Sequence, residues 1–170
     1  MRQGELMGLT WNSINWVTRK ITADKNFTSG HVGTPKTGKT RKVDMSLELV
    51  NILKEWRLAC LKGEHNLVFP NNDGCYQDAN NMIKRRFKPA LNRAGINHLR
   101  LQDLSHTYAS LLLAKGVQMK YVQLQLGHSS IKMTMDLYTH LIPEVHEQCV
   151  NLLDNIVEQT TIVGVRKFGT

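Results

Sequence analysis

The chain has 170 residues, 41% hydrophobic and 21% charged, which suits one soluble domain with a buried core. Its 22 Lys+Arg against 14 Asp+Glu leave a net charge of +8, and no apolar run approaches the roughly 20 residues of a membrane span. The start, "MRQGELMGLTW", lacks the parts of a secretory signal, and Cys60, Cys75 and Cys149 show neither close pairing nor metal-ligand spacing, so a cytoplasmic protein with reduced thiols and no metal is expected.

In chain order, "GELMGLTW" reads as the end of a helix. From Lys20 to Met45, Thr, Val, Ile and Phe alternate with Gly and Pro turn signals, which predicts short antiparallel strands with Lys36 at a turn between them. A helix follows, capped by Ser46, with Leu47, Val50, Leu53 and Trp56 or Arg57 as its apolar face and Gly63 as its stop. "LVFP" predicts a short buried strand or extended piece. "DANNMIKRRFKPALNRAG" predicts a basic helix, bent or restarted by Pro89 and closed by Gly95. The next helix, "QDLSHTYASLLLAKG", would turn Leu104, Tyr108, Leu111 and Leu112 to one face. "MKYVQLQLG" predicts a helix ending at Gly127, and Ser129 or Ser130 caps another that carries Tyr138. An amphipathic helix over 143–159 and a terminal strand complete the chain. The fold class expected is mainly α with a small antiparallel β-sheet near the N-terminus.

Charge is segregated along this order. Lys36, Lys39, Arg41 and Lys42 stand together without an acid, and so do Lys84, Arg85, Arg86, Lys88, Arg93 and Arg100. Residues 135–161 hold Asp136, Glu144, Glu147, Asp154 and Glu158 with no Lys or Arg. The pattern suggests a polyanion against the basic segments and a protein contact through the acidic one. A solvated basic surface is the plainer alternative.

"RQGELMGLTW", "PKTGKTRKV" and "LGHSSIKMTMDLYTHL" together resemble the tyrosine recombinase (phage integrase) family, over Arg2 to about Leu141. The last stretch is the most specific: a helix-ending Gly-His, a capped helix, then Tyr-x-His. The resemblance implies a catalytic domain over residues 1–159, a tail over 160–170, and an upstream DNA-clamp domain that this chain lacks, the chain being a truncated piece or a gene remnant. It implies double-stranded DNA as partner, no cofactor, and self-association on DNA through the C-terminal helix and tail. Tyr138 would attack a phosphodiester and become joined to the 3′ phosphate. A free tyrosine has a pKa of about 10, so such a nucleophile needs positive charge around it. Arg2 would hold phosphate oxygens, Lys36 would protonate the departing 5′ oxygen, and His128 would donate to the phosphate. Taken singly, Tyr138 reads as a packing residue, His128 as a helix cap, and Lys36 and Arg2 as surface charges. His106 and His140 are read as structural. Lys36, Lys39, Arg41, Lys42, Lys84, Arg85, Arg86, Lys88 and Arg93 are the expected DNA contacts.

One part of the resemblance breaks. Where the family has His-x-x-Arg, this chain has Gln102 and Ser105, neither of which can supply a proton shuttle or a charged clamp. Loss of one oxyanion donor costs on the order of 2.7–4 kcal/mol, so cleavage slower by at least about 100-fold is expected. Arg100 is a poor substitute because its offset points it elsewhere. A catalytically inactive DNA-binding remnant is the alternative, and a type IB topoisomerase-like enzyme a more distant one.

Overall fold

The computed structural model describes residues 1–35, 38, 40–96 and 99–138, the side chains of Leu137 and Tyr138 excepted. Lys36, Lys39, His140 and the C-terminal helix and tail therefore lie outside the described residues. A short helix α1 (Gln3–Met7) leads into β1 (Ile14–Asn15), β2 (Lys20–Ala23), β3 (Asn26–Thr28), β4 (His31–Gly33) and β5 (Arg41–Asp44). One antiparallel sheet has the order β1-β2-β5, and β3 and β4 form a separate hairpin. Helix α2 (Leu47–Ala59) follows, then α3 (Ala79–Met82), α4 (Lys88–Arg93), α5 (Asp103–Ala114), α6 (Met119–Leu126) and α7 (Lys132–Tyr138). The expected class, helix-rich with a small antiparallel sheet early in the chain, is what is found.

Two apolar clusters organise these elements. The first packs Leu9, Trp11, Ile14, Ile21 and Met45 against Val50, Leu53 and Cys60 of the α2 region and Val68. Of "LVFP", Leu67 and Val68 are buried as expected, Leu67 bridging Thr10 and the Val68 N–H donating to Leu9 O at 2.9 Å, but the chain bends at Val68 and Phe69. The second cluster joins Ala109 and Leu113 of α5 to Val122 and Leu126 of α6.

Three expectations need correction. Helix α2 is capped by the Ser46 hydroxyl, but it ends at Ala59, with Cys60 extended, rather than at Gly63. Gly63 has another use, since a Cβ there would lie 2.1 Å from the Gly74 carbonyl oxygen. Leu47 begins α2 exposed, and the helix buries Val50 and Leu53 alone. On α5 the inward face is Ala109 and Leu113, with Leu112 partly buried against them as expected, while Leu104, Tyr108 and Leu111 are exposed, Leu111 by 64%. α5 is apolar on most sides, so its pattern did not select a face; the packing of α6 and α7 did, where the small Ala109 permits close approach.

At Pro89 the helix restarts, as expected, after a local change of winding. Residues Ile83–Phe87 widen into a π turn, with the Lys88 N–H donating to Ile83 O, and Pro89 enters the first turn of α4. A proline cannot donate to the carbonyl four residues back and its ring crowds that carbonyl, so a wider turn just before it relieves both problems. The basic segment thus continues through one bulged helix.

Candidate active site

The seam between the sheet half and the helical half is polar. Arg2 sits just before α1, and its N–H donates to Glu5 Oε2 at 2.8 Å, so Glu5 satisfies one of the orphan N–H groups of that helix start. Glu5 is only 1% exposed. A buried carboxylate requires a partner, and Arg41 of β5 supplies it: Nη1 lies 2.6 Å from Oε1 and Nη2 lies 2.7 Å from Oε2. Burial pushes the Glu5 carboxyl up, but the hydrogen bonds from Arg41 and from the Arg2 N–H, with both positive charges, hold it below its usual range.

The Arg2 side chain crosses the seam. Its Nη2 donates to Gly127 O at 2.7 Å, while its Nη1 is buried with no hydrogen-bond partner among the described residues. Gly127 ends α6 in the left-handed region, at φ +69°. The Gly127 N–H donates to Leu124 O at 3.2 Å and the His128 N–H to Gln123 O at 3.2 Å, which is the paired bonding of a Schellman ending. That ending turns the chain so that the Gly127 carbonyl meets Arg2 and His128 follows at once.

His128 is then fixed from three sides. Its carbonyl accepts from the buried Gln123 Nε2 at 3.1 Å, and its ring Nδ1 lies 3.0 Å from Oγ1 of the fully buried Thr134 on α7. Burial lowers the imidazole pKa, and the positive charges of Arg2, His106 and Arg41 lower it further. Arg2, His106 and Arg41 therefore act on His128 in one region partly withdrawn from water, where Glu5 offsets the Arg41 charge and leaves that of Arg2. An anion is the group such a region favours.

Of the residues expected at the site, Arg2 and His128 are brought together. Lys36 lies outside the described residues, and Tyr138 is placed only by its backbone, as the last residue of α7, a helix that packs on α5 and α6. Gln102 immediately precedes α5 in right-handed helical geometry and is exposed, whereas Ser105 is half-buried in the first turn. Arg100 is engaged elsewhere: its Nη2 lies 2.9 Å from Asp103 Oδ1 and its backbone N–H donates to Asp103 Oδ2 at 2.8 Å. The pairing holds the Asp103 carboxyl below its ordinary range.

The basic residues divide. Lys84, Arg85, Arg86, Lys88 and Arg93 are exposed along the bulged helix, and Lys42 is exposed on β5. Arg41 departs from the expectation of a DNA-facing charge, because its guanidinium is buried against Glu5 with its side chain only 13% exposed. A single strand reverses side-chain direction at each residue, so neighbouring Arg41 and Lys42 cannot share a role. Sequence reasoning missed Glu5, Gln123 and Thr134 altogether. The Glu5 signal was present, as an acid three residues after Arg2 at a helix start; Gln123 and Thr134 carried none.

Comparison with known proteins identifies the family and the fold. The model of the phage integrase family matches residues 1–144. A tyrosine recombinase XerC-like protein of Caldanaerobacter subterraneus subsp. tengcongensis is 31% identical over 92% of this chain and 46% of its own length. The ICEBs1 integrase of Bacillus subtilis is 27% identical over 92% of this chain and 46% of its own. Among solved structures, the Tn1549 transposon integrase in complex with transposon right end DNA superposes with a TM-score of 0.76 at 21% identity, covering 91% of this chain and 55% of that one. The chain spans about half the length of the curated relatives it matches. With a family match over most of its length and the fold to go with it, this chain belongs to the phage integrase family of tyrosine recombinases.

Proposed function

We propose that the chain is the catalytic part of a site-specific recombinase of a mobile element, that it binds double-stranded DNA in the bacterial cytoplasm, and that its strand-cleaving site is impaired. The observation that carries the reading is Arg2 Nη1 beside His128, a buried donor with no partner among the described residues. A phosphate oxygen would satisfy it. Tyr138 Oη, giving up its proton to solvent, would form a bond to phosphorus as the bond to the 5′ oxygen breaks, with Lys36 supplying a proton to that oxygen. Burial lowers the His128 imidazole pKa and so favours its neutral form; in the tautomer in which Thr134 donates to Nδ1, the ring proton is on Nε2 and can reach the phosphate. The impairment follows from Gln102 and Ser105, which bring no charge, and from Arg100, whose charge is taken by Asp103. The same observation favours a second reading, a DNA-binding remnant that no longer cleaves.

A nicked duplex that traps the covalent intermediate separates the two. Adduct that disappears in Tyr138→Phe supports the enzyme reading. In the Gln102→His, Ser105→Arg double variant it should rise by at least about tenfold, a conservative share of the lost donor energy. No adduct from either protein leaves the remnant, while equal adduct from both rejects impairment. We also propose that the acidic C-terminal segment mediates contact between copies on DNA, as its charge separation suggests.

A further inference from the structure

Two arginines compete for one buried carboxylate at this seam. The Arg2 charge acts on Glu5, yet Arg2 bonds to it through its backbone N–H, while the Arg41 fork takes one lone pair on each oxygen at 2.6 and 2.7 Å. Without Arg41 the charges left acting on that carboxylate would be the Arg2 guanidinium and the Met1 ammonium, and of the two only the guanidinium can make the strong, bidentate contact of a buried Arg–carboxylate pair. Nη1 of Arg2, now unpartnered, would be drawn into it.

We propose that Arg41 is a positioning residue for anion binding: by occupying both oxygens of Glu5, it keeps the Arg2 guanidinium from closing onto that carboxylate and leaves Arg2 Nη1 for an oxyanion. The Arg41 fork is taken up by Glu5, and its Nε is buried without a partner among the described residues. Gly127 belongs to the same device, since any Cβ there would lie 2.5 Å from the Arg41 guanidinium carbon, in the space that carbon needs to reach Glu5. Identifying the oxyanion as a DNA phosphate rests on the function proposed above; the competition between the arginines does not.

The test uses the whole chain and inorganic sulfate, whose charge is constant over the working pH range, followed through the side-chain N–H resonance of Arg2. Sulfate should perturb that resonance in the unaltered protein. Arg41→Met should weaken binding by at least about tenfold, and adding Glu5→Gln to it should restore affinity to within about threefold, because a neutral amide no longer captures Arg2. Rescue by removing a second partner is a result that a purely structural Arg41 would not give. Binding by Arg41→Met equal to the unaltered chain, a double variant as weak as the single one, or no response of Arg2 to sulfate would each overturn the proposal. Should Arg41→Met fail to fold, the double variant, a neutral pair of similar volume, decides alone: affinity within threefold supports the proposal and a larger loss overturns it. Strand cleavage does not enter this titration. A chain that binds sulfate through Arg2 but forms no adduct retires the enzyme reading and leaves Arg41 its role, and adduct without sulfate binding does the reverse.

Discussion

At Gly127 two demands coincide on one residue. The backbone is left-handed, and the space where a side chain would begin is filled by the guanidinium of Arg41. Gly116 provides the comparison, having φ +73° but nothing within 4 Å of its Cβ position. Alanine at Gly116 should therefore cost only the left-handed backbone penalty, roughly 1–2 kcal/mol. Alanine at Gly127 should cost more, because either the turn opens or Arg41 leaves Glu5. Breaking a buried pair of this kind costs about 3–5 kcal/mol when one charge stays behind unpaired. Urea unfolding of both variants measures the difference, and equal losses would mean that Arg41 moves aside freely. The same reasoning explains why a Gly-His pair was legible in sequence while its purpose was not. A glycine before histidine announces a helix ending, but the residue that crowds it comes from β5, far away in the chain.

Helix α6 shows how one element carries the site on polar contacts as well as apolar ones. Its inner face buries Val122 and Leu126, but also Gln123 and Gln125. Gln125 answers β5 twice, its Oε1 accepting from the Asp44 N–H and its Nε2 donating to Asp44 Oδ2, each at 2.9 Å. Tyr121 Oη donates to the same carboxylate at 3.0 Å, and burial together with that bond pushes its phenol up to about 12. These contacts set the height of α6 on the sheet, and so where His128 emerges. Gln125→Leu keeps the apolar packing but strands the Asp44 N–H, so a loss of about 1–3 kcal/mol is expected in thermal or urea unfolding. Tyr121→Phe, removing a hydrogen bond at a more exposed position, should lose no more than about 1 kcal/mol. If Gln125→Leu is neutral, the docking rests on Val122 and Leu126 alone. Such an element is only partly readable beforehand. Its bounds and stop at Gly127 follow from local chemistry, and the strands and the Ser46 cap were legible for the same reason. The buried glutamines were not, since a polar residue on a helix defaults to solvent until a partner such as Asp44, from another element, is known. The α5 face failed for the opposite reason, too many apolar residues to choose between.

Over the whole molecule, positive charge is arranged in two layers with different work. Arg2 and Arg41 are withdrawn at the seam, one tied to Gly127 and the other to Glu5. Lys84, Arg85, Arg86, Lys88 and Arg93 are exposed along the bulged helix, and no ion pair joins them to a carboxylate among the described residues. Charges of the second kind are free to exchange water and counterions for phosphates, and each phosphate neutralised on a duplex contributes about −0.9 to the slope of log affinity against log salt. The prediction is that the chain binds unrelated duplexes weakly at low salt, with a slope of several units, and that Lys84→Ala, Arg85→Ala and Arg93→Ala together flatten the slope by about 2–3. Lys54 and Lys62 serve as the control, because they line a separate cleft of about 520 Å³ beside Trp11 and Trp16, outside both basic segments. Alanine at those two should leave the slope within about half a unit. Equal flattening per charge from both sets would mean that the protein attracts DNA as a uniformly positive body. A loss confined to the bulged helix would fix that helix as the surface lying along the backbone, with the Arg2 and His128 seam meeting the DNA only where a phosphate reaches it.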